Sequence, residues 1–429
     1  MNRVLAMLLL AAVTAPGLLA QDDHAERVRR VLATTPLIDG HNDLPWAIRE
    51  DETAPMDVAA YDLRRTTPGH TDLARLRAGG LGAQFWSVYI PCDVEGPGAA
   101  RVQLEQIDIA QQVIRRYPEA FGEAHSASEI EEEFGRGRIA SLLGMEGGHA
   151  IENSLSALRA YYATGVRYMT LTHGCNTDWA DSATDDPVHG GLTEFGREVV
   201  REMNRMGMLV DLSHTSPETM YDVLDVADAP VIFSHSSARG VTDHPRNVPD
   251  DVLRRLPENG GLVMVTFVPS FVSDAVRLYE GPDADAPRAT LADVADHIEH
   301  IRDVAGIDQV GIGGDFDGIT SVVQGLEDVS TYPALLEELS RRGWSDADLR
   351  KLVGENALRV MREAEAAARR LQRLREPSTA TIQDLDGLVG EEQDAAGSLD
   401  GETLGRGPDE GAAATADLAG GARDGRGAA

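Results

Sequence analysis

Short apolar runs rich in β-branched residues alternate with longer amphipathic stretches over most of the chain. Such runs occur at Leu37–Asp39, Ala83–Tyr89, Ile139–Met145, Tyr168–Thr172, Met208–Leu212, Val231–Ser234, Leu262–Thr266 and Gln309–Gly313. Each is interrupted or bounded by glycine or polar residues, which predicts eight strands. Between them, Gly98–Arg116, Leu155–Ala163, Leu192–Met206, Pro217–Val226, Asp250–Leu256 and Leu291–Val304 carry helical spacing. A short polar helix is predicted at Asp23–Leu32, ahead of the first strand. Pro333–Leu339 and Ser345–Leu374 continue as helices, the second opened by a Ser345-Asp346-Ala347-Asp348 cap. Eight β/α repeats predict a parallel sheet closed into a (β/α)8 TIM-type barrel. The competing arrangement is an open, doubly wound sheet. No glycine-rich phosphate loop follows the first strand, which counts against it.

The two ends depart from this rhythm. Met1–Ala20 has an early arginine, Arg3, an apolar run from Val4 to Val13 and a small residue at the expected cut, which predicts a cleaved secretory signal. The apolar run is short for a bilayer span. Gln21, not Cys, follows the cut, and no apolar segment closes the chain, so no stable membrane anchor is expected. Residues 21–376 are read as the barrel domain. Residues 377–429 turn to Gly, Ala, Asp and Glu, with eleven acidic residues against three arginines, a net charge of −8. Such a stretch buries too little apolar surface to fold alone and is expected to be disordered.

Charge narrows the partners. The 429 residues carry 39 basic and 71 acidic side chains, a net of −32, which disfavours nucleic acid and anionic membrane surfaces. Lys351 is the single lysine. The two cysteines, Cys92 and Cys175, can form one intramolecular bridge after export. A rival reading makes Cys175 a metal ligand, since it follows His173 by two residues. The bridge is preferred, because the ligand set below uses no sulfur.

Polar residues recur where the predicted strands end: His41 and Asp43 after the first, Glu146 after the third, His173, His214 and His235 after the fourth to sixth, and Asp315 and Asp317 after the eighth. In a parallel barrel all these ends face one mouth. Strand alternation would turn His41 and Asp43 the same way. Three imidazoles besides His173, with two carboxylates, suit two divalent cations such as zinc. A bridging carboxylate offsets repulsion between cations roughly 3.5–4 Å apart. Glu146 is the candidate bridge, because the only lysine lies far beyond the strands. The expected sets are His41, Asp43 and Glu146 around one zinc, and Glu146, His214 and His235 around the other. Asp211 lies deeper in its strand and is expected to orient a neighbour.

His41-Asn42-Asp43, Gly144-Met145-Glu146-Gly147-Gly148-His149, Leu171-Thr172-His173-Gly174-Cys175-Asn176-Thr177, Asp211-Leu212-Ser213-His214 and Phe233-Ser234-His235-Ser236-Ser237-Ala238 resemble motifs of the zinc-dependent membrane (renal) dipeptidase family. So do Arg246-Asn247-Val248-Pro249-Asp250-Asp251, Gly313-Gly314-Asp315-Phe316-Asp317-Gly318 and Gly354-x-Asn356-x-Leu358-Arg359-Val360. The resemblance runs from about Pro36 to Met361. It implies an amidohydrolase-superfamily barrel, usually a homodimer, cleaving dipeptides at a binuclear zinc site with the same five ligands and a bridging hydroxide. It implies that His173 contacts the scissile carbonyl, that Arg246 pairs with the substrate carboxylate, and that Asp315 shuttles the proton. It also implies a Cys92–Cys175 disulfide.

On spacing alone, Arg246 could instead form a surface ion pair with Asp250 or Asp251. Phe271 stands where relatives often carry tyrosine, which bears on substrate preference. The expected protein is a secreted or periplasmic metallodipeptidase. The alternatives are a barrel metallohydrolase of other amides, esters or lactones, and an exported metal- or peptide-binding protein without catalysis. His24, His70, His125, His189, His297 and His300 read as solvated surface, and His149 and His244 as structural or supporting residues.

Overall fold

The computed structural model describes residues 16–94, 98–282 and 285–387, so residues 1–15 of the expected signal and the chain from 388 onward lie outside the described residues. The described residues form nine parallel strands: β1 (Leu37–Asn42), β2 (Leu81–Tyr89), β3 (Phe121–Glu123), β4 (Ile139–Glu146), β5 (Val166–Thr170), β6 (Leu209–Asp211), β7 (Ile232–Phe233), β8 (Leu262–Val265) and β9 (Val310–Ile312). They run in the order β2-β1-β9-β8-β7-β6-β5-β4-β3, and β2 also pairs with β4 over seven residues, Ala83–Tyr89 against Ala140–Glu146. That pairing closes an eight-stranded ring and excludes the open sheet.

The unpredicted strand, β3, sits outside the ring. It pairs with Ile139–Ser141 at the start of β4, while β5 pairs with β4 from Leu143 onward. Three residues are too few to announce themselves by alternation.

The strands are apolar on both faces, as a parallel sheet covered by helices requires. Alternate residues enter two different clusters. Ile38, Phe85, Leu142, Tyr168, Leu209, Ile232 and Met264 pack in one. Leu37, Trp86, Leu143, Met169, Val210, Phe233 and Val265 pack in the other. The period of two therefore survives even where the polar–apolar contrast is lost.

Several boundaries differ from expectation. The region Ser345–Leu374 is not one helix. A short helix, Asp346–Arg350, passes through a π-helical turn at Lys351–Glu355 into Asn356–Leu371. Gly354 sits in that turn, where a Cβ would lie 2.1 Å from the Pro36 carbonyl oxygen, and Asn356 Nδ2 donates to the carbonyls of Ile307 (2.7 Å) and Val310 (2.9 Å). The turn is thus built around close approach to the barrel floor.

The expectation of disorder from residue 377 also fails over its first eleven residues. Residues 377–387 are ordered: Ile382–Asp386 forms a helix, Ile382 is 2 % exposed, and Asp386 Oδ1 accepts from the backbone N–H of Phe195 at 3.1 Å. A buried isoleucine, a carboxylate at a helix start, and the bonds of the Ser378 backbone to Arg159 (2.9 Å) and Glu202 (3.3 Å) dock a segment that looks featureless in sequence. At the other end the first helix spans Pro16–Leu32, longer than the predicted Asp23–Leu32.

Candidate metal and peptide site

His41 and Asp43 do converge, with Nε2 3.2 Å from Oδ2, but not by strand alternation. Asp39 pairs with Gln84 and Asn42 with Trp86, so three steps of β1 oppose two of β2. This bulge re-aims His41, and Asp43 has already left the strand, standing at the N-terminus of the helix Leu44–Arg49. Gly40 lies in the bulge because a Cβ there would meet the Ser234 carbonyl oxygen at 2.4 Å.

Glu146, at the end of β4, divides its two carboxylate oxygens. Oε2 lies 3.3 Å from His41 Nε2, while Oε1 lies 3.1 Å from His214 Nε2 and 3.2 Å from His235 Nε2. The division follows the two expected ligand sets. All five side chains are buried or nearly so, His214 being the most open at 11 %.

The outer ring nitrogens explain which atoms are free. His41 Nδ1 is 2.9 Å from the Tyr168 hydroxyl, which donates to the Gly40 carbonyl at 3.1 Å, so Nδ1 carries a hydrogen and the neutral ring would present its Nε2 lone pair to a cation. His235 Nδ1 is 2.8 Å from the Ser234 hydroxyl, which donates to Asp211 Oδ2 at 2.6 Å. The same reasoning bares His235 Nε2. Asp211 is thus an orienting residue, bonding also to the N–H groups of Ser213 and Ser234. Tyr168 and Ser234 were not singled out from sequence. Their only signal was a hydroxyl at an inward strand position, which is common elsewhere.

The donor set fits a cation. His41 Nε2 and Asp43 Oδ1 are buried without a hydrogen-bond partner, and His214 Nε2 and His235 Nε2 lie only 2.9 Å apart beside a carboxylate oxygen. So many lone pairs facing one another require protons or metal between them. In the metal-free protein, burial disfavours a charge on His41, but Tyr168, Glu146 and Asp43 more than offset this and push its pKa well up. Burial also works against the Glu146 carboxylate, yet the imidazoles of His41, His214 and His235 hold it well below the usual range. His214 and His235 are kept neutral, first by burial.

His173 closes the other side. It forms a metal-competent group with Glu146 and His214, its ring lies 4.2 Å from that of His214 and 4.7 Å from that of Tyr89, and burial lowers its pKa. Asp315 groups in the same way with His41 and Asp43, and has a left-handed backbone, φ 64°. Burial pushes its pKa well up, a rise that Asp43 and Glu146 reinforce against the pull of His41 and Arg246.

Arg246 is 4 % exposed and has no carboxylate within ion-pair distance among the described residues. Its guanidinium reaches only Ser236 Oγ at 3.5 Å and the His235 carbonyl at 3.4 Å, and stands 5.4 Å from the Phe271 ring centroid. The ion-pair alternative fails, because Asp250 pairs with His300 (2.8 Å) and Arg254 (3.6 Å) and Asp251 accepts from the Tyr221 hydroxyl (2.6 Å). Burial lowers the Arg246 pKa to about 10.

Cys92 and Cys175 form a disulfide, Cα–Cα 6.0 Å, tying the loop after β2 to the loop that carries His173. The reading of Cys175 as a metal ligand is thereby overturned. His297 is a second correction. It is fully buried, accepting from the Ala238 N–H at 3.0 Å through Nδ1.

The membrane dipeptidase (peptidase family M19) pattern matches residues 25–375. The chain belongs to the membrane dipeptidase family. With that family it falls in the amidohydrolase superfamily.

Solved dipeptidases share the architecture. The probable dipeptidase PvdM from Pseudomonas aeruginosa is 25 % identical, covering 81 % of this chain and 100 % of its own, with a TM-score of 0.71. A metallopeptidase from Rhodobacter sphaeroides, liganded with a phosphinate mimic of the dipeptide L-Ala-D-Ala, is 28 % identical over 77 % of this chain and 99 % of its own, TM-score 0.70. Dipeptidase AC, an M19 metallopeptidase, is 29 % identical over the same shares, TM-score 0.70. Membership of the membrane dipeptidase family makes this chain a metallodipeptidase-type hydrolase. Among the described residues, no helix is long and apolar enough to cross a membrane.

Proposed function

We propose that this membrane dipeptidase family member is an exported binuclear-zinc dipeptidase acting on dipeptides with a free C-terminal carboxylate. The observation that carries this is the division of the Glu146 carboxylate between His41 on one side and His214 with His235 on the other. His41, Asp43 and Glu146 would hold one zinc, and Glu146, His214 and His235 the second. When bound, such a pair supplies a water acidic enough to ionise near neutral pH and a Lewis acid for the scissile carbonyl.

The protein's own groups do the rest. Arg246, desolvated and without an anion, receives the substrate carboxylate through two parallel N–H donors, which limits productive binding to short peptides. His173 donates to the carbonyl oxygen as it gains charge. Asp315, which stands with His41 and Asp43 at the mouth, takes the proton of the attacking water and returns it to the leaving amine. The relative liganded with a phosphinate dipeptide mimic supports a dipeptide as the substrate class. Export is supported by the disulfide and by the N-terminal sequence pattern, and a homodimer by the resemblance.

The test is hydrolysis of a free dipeptide and of its C-terminal amide, with metal content measured by elemental analysis before and after chelation. The reading requires about two zinc ions per chain, chelator-sensitive turnover, and strong preference for the free acid. Full activity after complete metal removal, or equal rates on acid and amide, sinks it.

A further inference from the structure

The loop after β5 grips the loop after β6 around Ser182. Ser182, 3 % exposed, places its Oγ 2.6 Å from the backbone carbonyl of His173 and 3.3 Å from that of His214. The same His214 carbonyl accepts from the Ala183 N–H at 2.7 Å and the Thr172 hydroxyl at 3.1 Å. His214 needs this hold, because its backbone is left-handed, φ 68°, a conformation that costs a non-glycine residue on the order of 1 kcal/mol or more.

The grip is itself fixed. The Ser182 N–H donates to Asn176 Oδ1 at 2.7 Å, and Ser182 pairs with Thr215 in an isolated antiparallel bridge. The preceding residue, Asp181, accepts from the N–H groups of Val188, His189 and Gly191, each at 3.0 Å. A hydroxyl has one hydrogen, and the shorter contact assigns it chiefly to His173.

We infer that Ser182 is a positioning residue for peptide hydrolysis, setting the His173 imidazole at its spacing from His214. The inference rests on the proposed role of His173. Ser182 touches no substrate. It acts by fixing where the His173 ring stands relative to the carbonyl that becomes tetrahedral.

The test uses the full chain with its metal, comparing Ser182→Ala, Ser182→Thr, His173→Ala and the His173→Ala/Ser182→Ala double variant. Ser182→Ala is expected to lower kcat about 10- to 100-fold, the scale of small misplacements, with KM and zinc content little changed. Ser182→Thr, which keeps the hydroxyl, should recover most of the rate. The double variant should be no slower than His173→Ala alone, since Ser182 acts through His173.

Three results overturn the inference: wild-type kcat in Ser182→Ala, equal impairment of both Ser182 variants, or a full additional loss in the double variant. A His173→Ala variant with wild-type kcat refutes the role assigned to His173 instead. Thermal midpoints measured in parallel identify a Ser182→Ala variant that has merely lost its fold.

Discussion

The Tyr168 hydroxyl stands 2.9 Å from His41 Nδ1 and leaves the opposite nitrogen of that ring bare. A phenol from β5 thus decides the tautomer of an imidazole on β1. Outer partners of this kind tune the affinity of a metal ligand. Tyr168→Phe is expected to weaken metal binding about 10- to 100-fold, measured by competition with a chelating indicator, while the circular dichroism spectrum stays native. Unchanged affinity would separate the hydroxyl from the metal site.

The space for Tyr168 depends on Gly144, where a Cβ would lie 2.0 Å from the Tyr168 ring. Gly144→Ala should therefore displace the tyrosine and lower both thermal stability and metal affinity. A variant with normal values for both would show that the strand yields instead.

Among the described residues Arg246 has no carboxylate within ion-pair distance, so its removal breaks no direct ion pair. Charge-assisted hydrogen bonds contribute about 1.5–3 kcal/mol, so Arg246→Ala should raise KM for free dipeptides roughly 10- to 150-fold. Rates on C-terminally amidated peptides should hardly change. An equal effect on both substrates would place the guanidinium elsewhere than at the carboxylate.

His297 gives stability a pH dependence. Its Nδ1 accepts a hydrogen bond from Ala238, and burial holds its pKa near about 4 against 6.5 for a free imidazole. The unfolded chain therefore binds more protons between these values, and stability is lost as pH falls from about 6.5 towards 4. The expected loss from this residue is on the order of 1–3 kcal/mol. Calorimetry at several pH values should register about one proton taken up at this site on unfolding, a contribution absent in His297→Gln.

Opening the Cys92–Cys175 bridge, which spans 83 residues, should cost about 2–4 kcal/mol. Because one half of the bridge lies two residues past His173, kcat should fall in the Cys92→Ser/Cys175→Ser variant under conditions where it is still folded. Activity indifferent to the loss of both sulfurs would confine the bridge to stability.

A truncation after Glu376 removes the docked helix that a truncation after Gly387 keeps. Burial of one isoleucine side chain is worth about 1.5–3 kcal/mol, so the shorter chain should melt measurably lower than the longer one. Identical midpoints would make the docked helix energetically idle.

The barrel was legible because its strands are apolar runs, six of which deliver a polar site residue where they end. All eight ring strands were anticipated, with most ends off by no more than two residues, as where Thr172, Leu212, Ser234 and Gly313 leave the ladder, and the end of β1 off by three. What escaped were features set by tertiary contact. The β1 bulge that re-aims His41 leaves no mark in periodicity, and the π turn at Gly354 answers to Pro36, more than three hundred positions away. His297 looked solvated because nothing local reveals its bond to Ala238.

The candidate metal donors come from the ends of β1, β4, β6 and β7, and that dispersal has a thermodynamic consequence. No hairpin or single β/α unit contains a complete set, and the two sets together draw on strands from β1 to β7, so the pair of ions has no host smaller than most of the ring. Ion loss and global melting should then be one event, and a fluorescent zinc sensor would serve as a reporter of cooperativity for the entire ring.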